Sequence, residues 1–333
     1  MKSLITGGAG FIGSHVAKHC LEIGHAVVVL DDLSGGFIDH LPEGIKFIQG
    51  SVTDADLIQN LFATEKFDYV YHLAAYAAEG LSHFIRRFNY TNNLIGSVNL
   101  INESVRNQVK CFVYTSSIAV YGSGQLPMLE TMQPHPEDPY GIAKQAVELD
   151  LQAAHSMFGL DYVIFRPHNV YGENQNIGDR YRNVIGIFMN QIMQNKPMTI
   201  FGDGAQTRAF SYIDDVAPYI SRSVITPEAI NQIINIGADR PYSIKTLAEV
   251  VASAFSVSSN IEYLPARNEV LNAYADHSRA HRIFNIQKTA TLEEGIKKMA
   301  TWAIKVGARK GKPFHNIELT KNMPATWKEL IDS

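Results

Sequence analysis

The segment Ser3–Asp32, SLITGGAGFIGSHVAKHCLEIGHAVVVLDD, decides the fold of this chain. Its apolar start, Ser3–Thr6, predicts a strand, and the glycine-rich turn that follows leads into a predicted helix over Ser14–Ile23. A second apolar run, Ala26–Leu30, predicts the next strand and completes a strand–helix–strand unit. Such a unit, with glycines in its first turn, is typical of folds that bind dinucleotides.

The glycine turn and the carboxylate after the second strand predict which dinucleotide binds. Gly7, Gly10 and Gly13 allow the backbone to approach a pyrophosphate, and the N-terminus of the following helix offers free N–H groups. Asp31 lies 18 residues after Gly13. Its carboxylate can accept hydrogen bonds from both adenosine ribose hydroxyls and would repel a 2′-phosphate. This arrangement favours NAD over NADP.

Strand and helix patterns continue to alternate through the first half of the chain. The predicted strands are Lys46–Gln49, Tyr69–Ala74 and Cys111–Thr115, and the predicted helices are Asp54–Ala63, Asn92–Val105 and Pro139–His155. This alternation predicts a parallel sheet that is covered by helices on both faces and binds ligands at the carboxyl ends of its strands. Leu73-Ala74-Ala75 and Thr115-Ser116-Ser117 lie at two such ends, so we expect both segments to approach the cofactor.

A tyrosine and a lysine one helical turn apart predict a site of proton transfer. Tyr140 and Lys144 lie near the start of a predicted helix that Asp138 can cap and Pro139 can begin. A nearby ammonium group favours the phenolate form of a tyrosine, and Ser117 would supply a hydroxyl donor. Taken alone, this spacing also fits a surface pair on an exposed helix face, and the glycine turn favours the catalytic interpretation.

Composition and charge exclude several other classes of protein. The 333 residues are 46% hydrophobic and carry a formal net charge of −4, which predicts a large core and no basic surface for nucleic acid. The two cysteines, Cys20 and Cys111, form no C-x-x-C or Cys/His cluster, so neither a disulfide framework nor a metal site is predicted. The first residues do not resemble a signal peptide, and no apolar run is long enough to span a bilayer. We therefore expect a cytoplasmic protein with no membrane partner.

Several motifs together resemble the extended short-chain dehydrogenase/reductases, and within them the NAD-dependent sugar epimerase/dehydratase family. The resemblance runs from Leu4 to about Ala303 and is closest to the branch of the UDP-glucose (UDP-galactose) 4-epimerases. Its motifs are TGGAGFIG at the start, HLAA at His72–Ala75, TSSIAVYG at Thr115–Gly122, YGIAK at Tyr140–Lys144, RPHNVYG at Arg166–Gly172 and FGDGAQTRAFSYIDDVA at Phe201–Ala217. The family implies a tightly held NAD, a nucleotide-diphospho-sugar substrate, which is UDP-linked in this branch, and a homodimer.

The resemblance implies an α/β fold, a Rossmann-type doubly wound parallel sheet with a smaller C-terminal α/β substrate-binding domain. We expect residues 1–167 to form the NAD-binding domain, with residues 211–236 returning to it. Residues 168–210 and 237–333 are expected to form the nucleotide-sugar-binding domain. From Ala308 onward, the residues Gly311, Lys312 and Pro313 predict an extended arm instead of a helix.

The family also implies roles for individual residues around the cofactor. Tyr140 would act as general base, Lys144 would bind the nicotinamide ribose and lower the pKa of Tyr140, and Ser117 would hydrogen-bond the sugar O4. The residues implied to contact NAD are Gly7, Gly10, Phe11, Ile12, Gly13, Asp31, Asp32, Ser34, Ser51, Val52, Leu73, Ala74, Ala75, Asn93, Thr115, Tyr140, Lys144, Pro167 and His168. For His168, a structural role without ligand contact is the alternative interpretation.

A second set of residues is implied to bind the substrate, together with Ser117 and Tyr140. Asn169 and Arg208 match residues that contact the diphosphate of the nucleotide sugar, and Phe201 opens the same motif as Arg208. Arg267 matches a second phosphate-binding arginine and Glu269 an acidic residue at the nucleotide ribose. Arginine suits phosphate because its planar guanidinium can donate two parallel hydrogen bonds. An ion pair between domains is the alternative for both arginines, and an ordinary turn residue is the alternative for Asn169.

The residues after Ser117 favour one reaction of the family. The 4,6-dehydratases carry an Asp-Glu pair there, and the xylose-forming decarboxylases carry a glutamate, whereas this chain has Ile118-Ala119-Val120. Elimination from C6 needs an acid to protonate the leaving hydroxide. We therefore expect 4-epimerisation through a 4-keto intermediate. Dehydration, reduction or 2-epimerisation by the same machinery, and a non-catalytic NAD-binding module, are the alternatives.

The identity of the sugar stays open at this point, among hexose, N-acetylhexosamine and uronate. Ala273 takes the position of a bulky tyrosine that gates the pocket in hexose-restricted members, which leaves room for a larger substituent. Arg180 or Arg182 could bind a sugar carboxylate, or both could instead hold the start of the next helix or a dimer surface.

Overall fold

The structure is a computed structural model, and it describes residues 1–124, 126–179, 181–266, 270–311, 314 and 316–328. Its strands, in chain order, are β1 (Lys2–Thr6), β2 (Ala26–Asp31), β3 (Lys46–Gln49), β4 (Tyr69–His72), β5 (Cys111–Thr115), β6 (Asp161–Pro167), β7 (Val170–Tyr171), β8 (Met198–Phe201), β9 (Thr207–Ala209), β10 (Ser211–Tyr212), β11 (Gln232–Ile236), β12 (Pro241–Ser243), β13 (Ile261–Leu264) and β14 (Asn272–Ala273).

The helices pack on both faces of the main sheet and along the later part of the chain. They are α1 (Phe11–Glu22), α2 (Ala55–Glu65), α3 (Glu79–Ser82), α4 (Arg86–Tyr90), α5 (Gly96–Arg106), α6 (Pro139–Phe158), α7 (Val184–Met193), α8 (Ala217–Arg222), α9 (Ile244–Ala254), α10 (Ser278–Phe284), α11 (Leu292–Val306) and α12 (Ala325–Lys328). No helix in the part of the chain that the structure describes is long and apolar enough to cross a membrane.

The main sheet has seven strands in the order β11-β6-β5-β4-β1-β2-β3, and all of its strand pairs are parallel. The chain order reverses at β1, which pairs with both β2 and β4. Ligands bind at such a reversal point because the loops at the carboxyl ends of the two neighbouring strands separate there. The predicted Rossmann-type α/β fold is confirmed.

Apolar side chains alternate across the sheet and form a core on each face. Ile5 and Val29 contribute to one buried cluster, while their neighbours Leu4 and Val28 contribute to the other. Because successive side chains of a strand point to opposite faces, a strand covered on both faces needs a continuous apolar run. The runs in β1 and β2 therefore identify them as central strands.

Two helices begin differently from the sequence-based expectation. α1 begins at Phe11, three residues before the predicted start, because the chain becomes helical directly after Gly10. The predicted helix Asn92–Val105 is interrupted by a π-helical turn, Thr91–Ile95, that precedes α5. Such turns insert one extra residue per turn and often occur at functional sites.

The later part of the chain forms small sheets and helices beside the carboxyl ends of the main sheet. β9 lies between β12 and β14, and β8 pairs with β13. β11 joins the edge of the main sheet by pairing with β6. The division into two domains at the stated boundaries stays a prediction.

The C-terminal arm was expected to be extended throughout, and this expectation is wrong at its end. Ala325–Lys328 forms a short helix, and the side chain of Trp327 is buried in an apolar cluster with Leu81, Ile85 and Met323. The burial of an indole ring in this cluster explains why the arm turns back onto the protein. Lys312 and Pro313 lie outside the described residues.

Candidate active site

A cleft of about 1730 Å³ follows the carboxyl ends of the main sheet and continues between β6, β8 and β9. It gathers most of the residues that the sequence predicted to act together. Those that line it are Gly7, Gly10, Phe11, Ile12, Gly13, Asp31, Asp32, Ser34, Ser51, Val52, Leu73, Ala74, Ala75, Thr115, Ser117, Tyr140, Lys144, Pro167, His168, Asn169, Phe201 and Arg208. Arg267 and Glu269 lie outside the described residues, as does Arg180.

The glycine turn between β1 and α1 is a cradle that only glycine can form. Gly7 has a φ of +67°, a conformation that side chains rarely adopt, and its N–H donates to the carbonyl of Leu30 at 2.8 Å. A Cβ on Gly13 would come within 2.7 Å of the carbonyl carbon of Gly7. Gly10 precedes α1 and has no side chain to cap the helix, so the N–H groups of the first turn face the cleft, as a pyrophosphate site requires.

The carboxylate of Asp31 is held at the end of β2 by the backbone. It accepts hydrogen bonds from the N–H of Ala9 at 3.0 Å and from the N–H of Leu33 at 2.8 Å. Burial raises the pKa of this carboxyl, and the two backbone hydrogen bonds oppose that rise. Asp32 accepts from the N–H of Ser34 at 2.8 Å. The carboxylate of Asp31 is thus positioned to accept hydrogen bonds from ribose hydroxyls.

The residues of this half of the cleft fit a bound NAD. Besides the glycine cradle and Asp31, the hydroxyl of Thr115 is buried without a hydrogen-bond partner among the described residues, and Thr115 lines the cleft. Buried polar groups are normally paired, so such a hydroxyl indicates a missing ligand atom. When bound, NAD would supply a hydride acceptor and donor in this cleft.

Tyr140, Lys144 and Ser117 come together at the junction of β5 and α6. Asp138 caps α6 by accepting from the N–H of Gly141 at 3.0 Å, which places Tyr140 in the first turn. The ammonium of Lys144 donates to the carbonyl of Thr115 at 2.7 Å and lies 5.7 Å from the centre of the Tyr140 ring. The Ser117 hydroxyl lies close enough to Tyr140 to lower the pKa of its phenol.

Burial dominates the electrostatics of this trio. It raises the pKa of the Tyr140 phenol, the nearby Ser117 hydroxyl opposes this, and the carboxylates of Glu79 and Asp138 raise the pKa further. Burial also lowers the pKa of Lys144 to about 7. Burial disfavours the ammonium form of Lys144, and the lowering of the pKa of Tyr140 by Lys144 stays a prediction.

Asn93 was predicted to contact the cofactor; its amide is hydrogen-bonded within the protein, and its contact with the cofactor stays a prediction. Its amide oxygen accepts from the N–H of Tyr76 at 2.8 Å, and its amide nitrogen donates to the carbonyl of Tyr76 at 3.1 Å and to Asn89 at 2.7 Å. The side chain is buried and does not line the cleft. Asn93 therefore supports the segment that follows Ala75.

His168 lines the cleft with both ring nitrogens already in use. Nδ1 lies 3.0 Å from the carbonyl oxygen of Ala209, and Nε2 lies 2.9 Å from Nε2 of His277. The structural interpretation of this histidine fits these contacts, because no nitrogen is left for a ligand.

Asn169 and Arg208, two of the predicted substrate residues, line the cleft. Asn169 adopts a φ of +40° and donates to the carbonyl of Ala209 at 3.1 Å. Arg208 lies on β9, and its guanidinium donates to the carbonyl of Leu271 at 2.9 Å and to that of Val270. These contacts hold the guanidinium at the cleft wall, and its role in binding a diphosphate stays a prediction.

Two sequence features that bear on the sugar also lie in the cleft. Ala273 lines it and is the β14 partner of Arg208 on β9. Arg182 lines it too, but its guanidinium forms an ion pair with Asp179, with an Nη2–Oδ2 distance of 2.5 Å, and lies over the Tyr76 ring. The positive charge of Arg182 is therefore balanced within its own loop.

Sequence reasoning missed one wall of the cleft, which the C-terminal arm provides. The arm residues that line the cleft are Leu319, Lys321, Asn322, Pro324 and Trp327. Glu318 fastens the arm by accepting from the N–H groups of Arg87 and Phe88, each at 2.8 Å. The apolar residues of this tail, Phe314, Ile317, Met323 and Trp327, are the signal that could have indicated packing.

Replacing Trp327 by alanine should release this arm while the rest of the protein stays folded. Removing a buried aromatic side chain costs about 3–5 kcal/mol, which is more than the exposed contacts of Glu318 can compensate. Limited trypsin digestion followed by mass spectrometry should then show cleavage at Lys321. Trp302→Ala is the matched control, because Trp302 packs on the main core, and it should leave the arm resistant. Equal resistance of Trp327→Ala and wild type would show that the arm is held elsewhere.

His72 supports the carboxyl end of β4 and makes stability depend on pH. Its ring nitrogens contact the hydroxyls of Thr6 at 2.7 Å and Ser97 at 2.8 Å, and burial lowers its pKa from 6.5 to about 3. The unfolded chain binds this proton at a higher pH than the folded protein does. The contribution of His72 to the free energy of unfolding is therefore complete above pH 6.5 and is lost as the pH falls toward 3. The loss is about 1.4 kcal/mol per pH unit for one histidine.

Urea denaturation at several pH values checks this expectation. In His72→Asn, the free energy of unfolding should change less steeply between pH 6.5 and 3. The difference in slope from wild type should correspond to about one bound proton. His19→Asn, which removes a half-buried histidine that pairs with Glu22 on α1, is the comparison variant. Parallel slopes for wild type and His72→Asn would contradict the assignment.

Known proteins resemble this chain over most of its length. The model of the NAD dependent epimerase/dehydratase family matches residues 3–237. A putative UDP-glucose 4-epimerase of Methanocaldococcus jannaschii is 31% identical over 302 residues, which are 90% of this chain and 97% of that protein. Enzymes named as dTDP-D-glucose 4,6-dehydratases match as well.

Solved structures of the same family superpose closely. The UDP-glucose 4-epimerase of Thermotoga maritima, solved with UDP-glucose, has a TM-score of 0.86 and 32% identity and covers 92% of this chain and 99% of its own. The UDP-glucuronic acid 4-epimerase of Bacillus cereus, solved with UDP-glucuronic acid and NAD, has a TM-score of 0.81 and 29% identity, with coverage of 92% and 100%. Since the family model matches well over half of the chain, this protein is an enzyme of the NAD-dependent epimerase/dehydratase family.

Proposed function

We propose that this enzyme is an NAD-dependent 4-epimerase of a UDP-sugar. The observation that carries the proposal is the meeting of Ser117, Tyr140 and Lys144 in one cleft, in a segment where Ile118-Ala119-Val120 brings no carboxylate. A 4-epimerase needs a base for the O4 proton and a donor to the ketone oxygen, and it needs no acid at C6. The relatives that act as 4-epimerases support the same reaction.

Each member of the trio has a part in moving one proton. The Tyr140 oxygen accepts the proton of the sugar O4 hydroxyl and returns it to O4 after the 4-keto sugar has rotated. Ser117 donates a hydrogen bond to O4 and holds it at the tyrosine. Lys144, fixed by the carbonyl of Thr115, presents its other N–H bonds to the nicotinamide ribose and favours the phenolate.

The remaining cleft residues would hold the two ligands. The cradle of Gly7, Gly10 and Gly13 binds the pyrophosphate of NAD, and Asp31 accepts the adenosine ribose hydroxyls. Asn169 and Arg208 bind the diphosphate of the nucleotide sugar, which the charge and planarity of a guanidinium suit. Arg267 and Glu269 keep their predicted roles at the second phosphate contact and the nucleotide ribose.

We infer that the sugar pocket accepts an N-acetyl group as well as a hydroxyl at C2. Ala273 lines the cleft next to Arg208, and its methyl side chain leaves space that a tyrosine would fill. A UDP-N-acetylglucosamine 4-epimerase is among the matching structures. The pairing of Arg182 with Asp179 argues against Arg182 as a reader of a uronate carboxylate.

The homodimer stays a prediction that α6 supports. Ile142 and Leu149 on α6 are exposed apolar side chains seven positions apart, and Ile95 at the start of α5 is exposed as well. Exposed apolar side chains on one helix face are typical of an interface between subunits. Light scattering on the eluting protein would measure the mass in solution.

Dehydration is the second candidate reaction, and Glu79 is the observation that favours it. This carboxylate lines the cleft and lies close enough to Tyr140 to raise the pKa of the phenol. A carboxyl group there could protonate a leaving hydroxide, and 4,6-dehydratases match the chain.

One panel of substrates separates these candidates. The purified enzyme is first examined by absorbance and fluorescence for bound NAD(H), and then incubated with UDP-, GDP- and CDP-sugars. Proton NMR reports inversion at C4, and mass spectrometry reports loss of water. Inversion of UDP-N-acetylhexosamine and UDP-hexose supports the proposal. If the wild type removes water from the sugar and Glu79→Gln does not, dehydration replaces 4-epimerisation as the proposed reaction.

A further inference from the structure

Three side chains form a hydrogen-bonded chain from the cleft to the protein surface. Nε2 of His168 lies 2.9 Å from Nε2 of His277, and Nδ1 of His277 lies 2.7 Å from a carboxylate oxygen of Asp239. The other end of the chain is Nδ1 of His168, 3.0 Å from the carbonyl oxygen of Ala209. None of these three side chains is part of the Ser117–Tyr140–Lys144 trio.

The middle of the chain is buried and its end is in water. His168 and His277 are 3% and 1% exposed, whereas the side chain of Asp239 is 60% exposed. Gly237 leaves room for the contact between the two histidine rings, because a Cβ at this position would lie 3.1 Å from Nε2 of His168. The tight packing around the two rings restricts them to the observed orientation.

Counting protons shows that the chain holds one positive charge on its two rings. The Ala209 carbonyl and the Asp239 carboxylate only accept, so Nδ1 of His168 and Nδ1 of His277 must each carry a proton. The contact between the two Nε2 atoms needs one further proton. Two imidazole rings with three protons carry a net charge of +1, which the carboxylate of Asp239 balances.

The geometry assigns that charge to His277, because Nδ1 of His277 is the ring nitrogen that contacts the Asp239 carboxylate, at 2.7 Å. Burial and the neighbouring ring of His277 lower the pKa of His168 to about 3, so His168 is the neutral partner. The hydrogen bond from His277 lowers the pKa of Asp239, which stays ionised. The other titratable groups nearby are His281 on α10, 3.7 Å from Asp239, and Asp276, whose carboxylate accepts from the N–H and hydroxyl of Ser278.

His168, the neutral end of this hydrogen-bonded chain, contacts the segment that contains the proposed diphosphate-binding residues. The carbonyl of Ala209 accepts from His168 and, at 3.1 Å, from the amide of Asn169. Ala209 directly follows Arg208 on β9, and Asn169 directly follows His168. A single carbonyl therefore ties together the two segments that present Asn169 and Arg208.

We propose that His168, His277 and Asp239 are positioning residues that use one buried imidazolium to hold Asn169 and Arg208 in place for the substrate's diphosphate. The proposal rests on the proposed function, because it takes the diphosphate contacts from it. It assigns a role in binding to two residues, His277 and Asp239, that do not touch the cleft. The charge matters because a hydrogen bond to an ionised group is stronger and more directional than a neutral one.

Binding of UDP and of uridine separates positioning from general damage to the fold. In His277→Gln, which keeps an amide donor and removes the cation, the dissociation constant for UDP should rise about tenfold in calorimetry. Asp239→Asn, a change at an exposed side chain, should weaken UDP binding in the same direction. Uridine, which lacks the diphosphate, should bind wild type and both variants alike. His155→Gln is the matched control, because His155 pairs with Asp161 away from the cleft, and it should bind UDP as wild type does.

Nitrogen-15 NMR of the histidine rings tests the charge without any ligand. One buried imidazole in the wild type should show both ring nitrogens protonated near neutral pH, and this signal should be absent from His277→Gln. A neutral His277, or equal UDP affinity in His277→Gln and wild type, would overturn the inference. If wild type itself binds no UDP and inverts no UDP-sugar, the proposed function fails instead. The substrate's KM should rise in His277→Gln while kcat stays within about threefold.

Discussion

Phenylalanine in place of Tyr140 should lower kcat for the epimerisation about a thousandfold, with little change in the affinity for UDP. The phenol oxygen is the group that takes the O4 proton, and the nearby hydroxyl of Ser117 is too weakly basic to replace it. The aromatic ring of residue 140 is retained in the phenylalanine variant and fills the same space. The loss is therefore one of proton transfer and not of packing.

Turnover of UDP-hexose followed by NMR measures this effect, and Tyr114→Phe provides the matched control. Tyr114 lies in the same region, with its ring 4.8 Å from the Lys144 ammonium. Its hydroxyl is buried and has no hydrogen-bond partner in the described part of the chain. Loss of that hydroxyl should leave kcat within about threefold of wild type, since only the ring contacts Lys144. Equal turnover by Tyr140→Phe and wild type would remove Tyr140 from the mechanism.

The fold and the cofactor half of the site were predictable because their signals are local. The turn from Gly7 to Gly13 follows directly on β1, and Asp31 ends the next strand, so a short segment specifies both the strand crossover and the pyrophosphate cradle. Tyr140 and Lys144 are likewise placed by one helix whose cap and first residue are adjacent in sequence. Spacing alone is sufficient where one element carries the whole pattern.

The parts that could not be predicted depend on contacts between distant segments. His168 and His277 are 109 positions apart, and no local pattern indicates that their rings meet. The amide of Asn93 accepts from the backbone N–H of Tyr76, 17 positions away, and no local pattern indicates this contact. The burial of Trp327 likewise follows from the surface that α3 and α4 present to it. In each case tertiary packing decides which atoms a side chain contacts.

Glu148→Gln should reduce the free energy of unfolding by about 3–5 kcal/mol, the second large effect that we expect. Glu148 on α6 and Arg166 on β6 form a buried ion pair with side chains 2% and 1% exposed, and Nε and Nη2 of Arg166 donate to its two carboxylate oxygens at 2.9 and 2.5 Å. The glutamine keeps the shape of the side chain but leaves the guanidinium as an uncompensated buried charge. Urea denaturation of the variant and wild type measures the difference.

A double variant shows whether the charge or the packing carries this effect. Arg166→Met combined with Glu148→Leu removes both charges and should be more stable than Glu148→Gln, because no charge is then left unpaired. Glu22→Gln, which breaks the exposed pair of Lys18 and Glu22 on α1, should change stability by less than about 1 kcal/mol. If Glu148→Gln and the double variant lose equal stability, shape and not charge is what the site requires.

The same ion pair links stability to catalysis, because Glu148 also holds the loop that carries Ser117. The hydroxyl of Ser116 donates to Glu148 at 2.5 Å, and Glu148 lies one helical turn after Lys144 on α6. One carboxylate thus joins β6, the end of β5 and the catalytic helix. We expect Glu148→Gln to lower kcat even under conditions in which it is fully folded, since Ser117 then loses its fixed position relative to Tyr140. Unchanged kcat in the folded variant would limit Glu148 to a structural role.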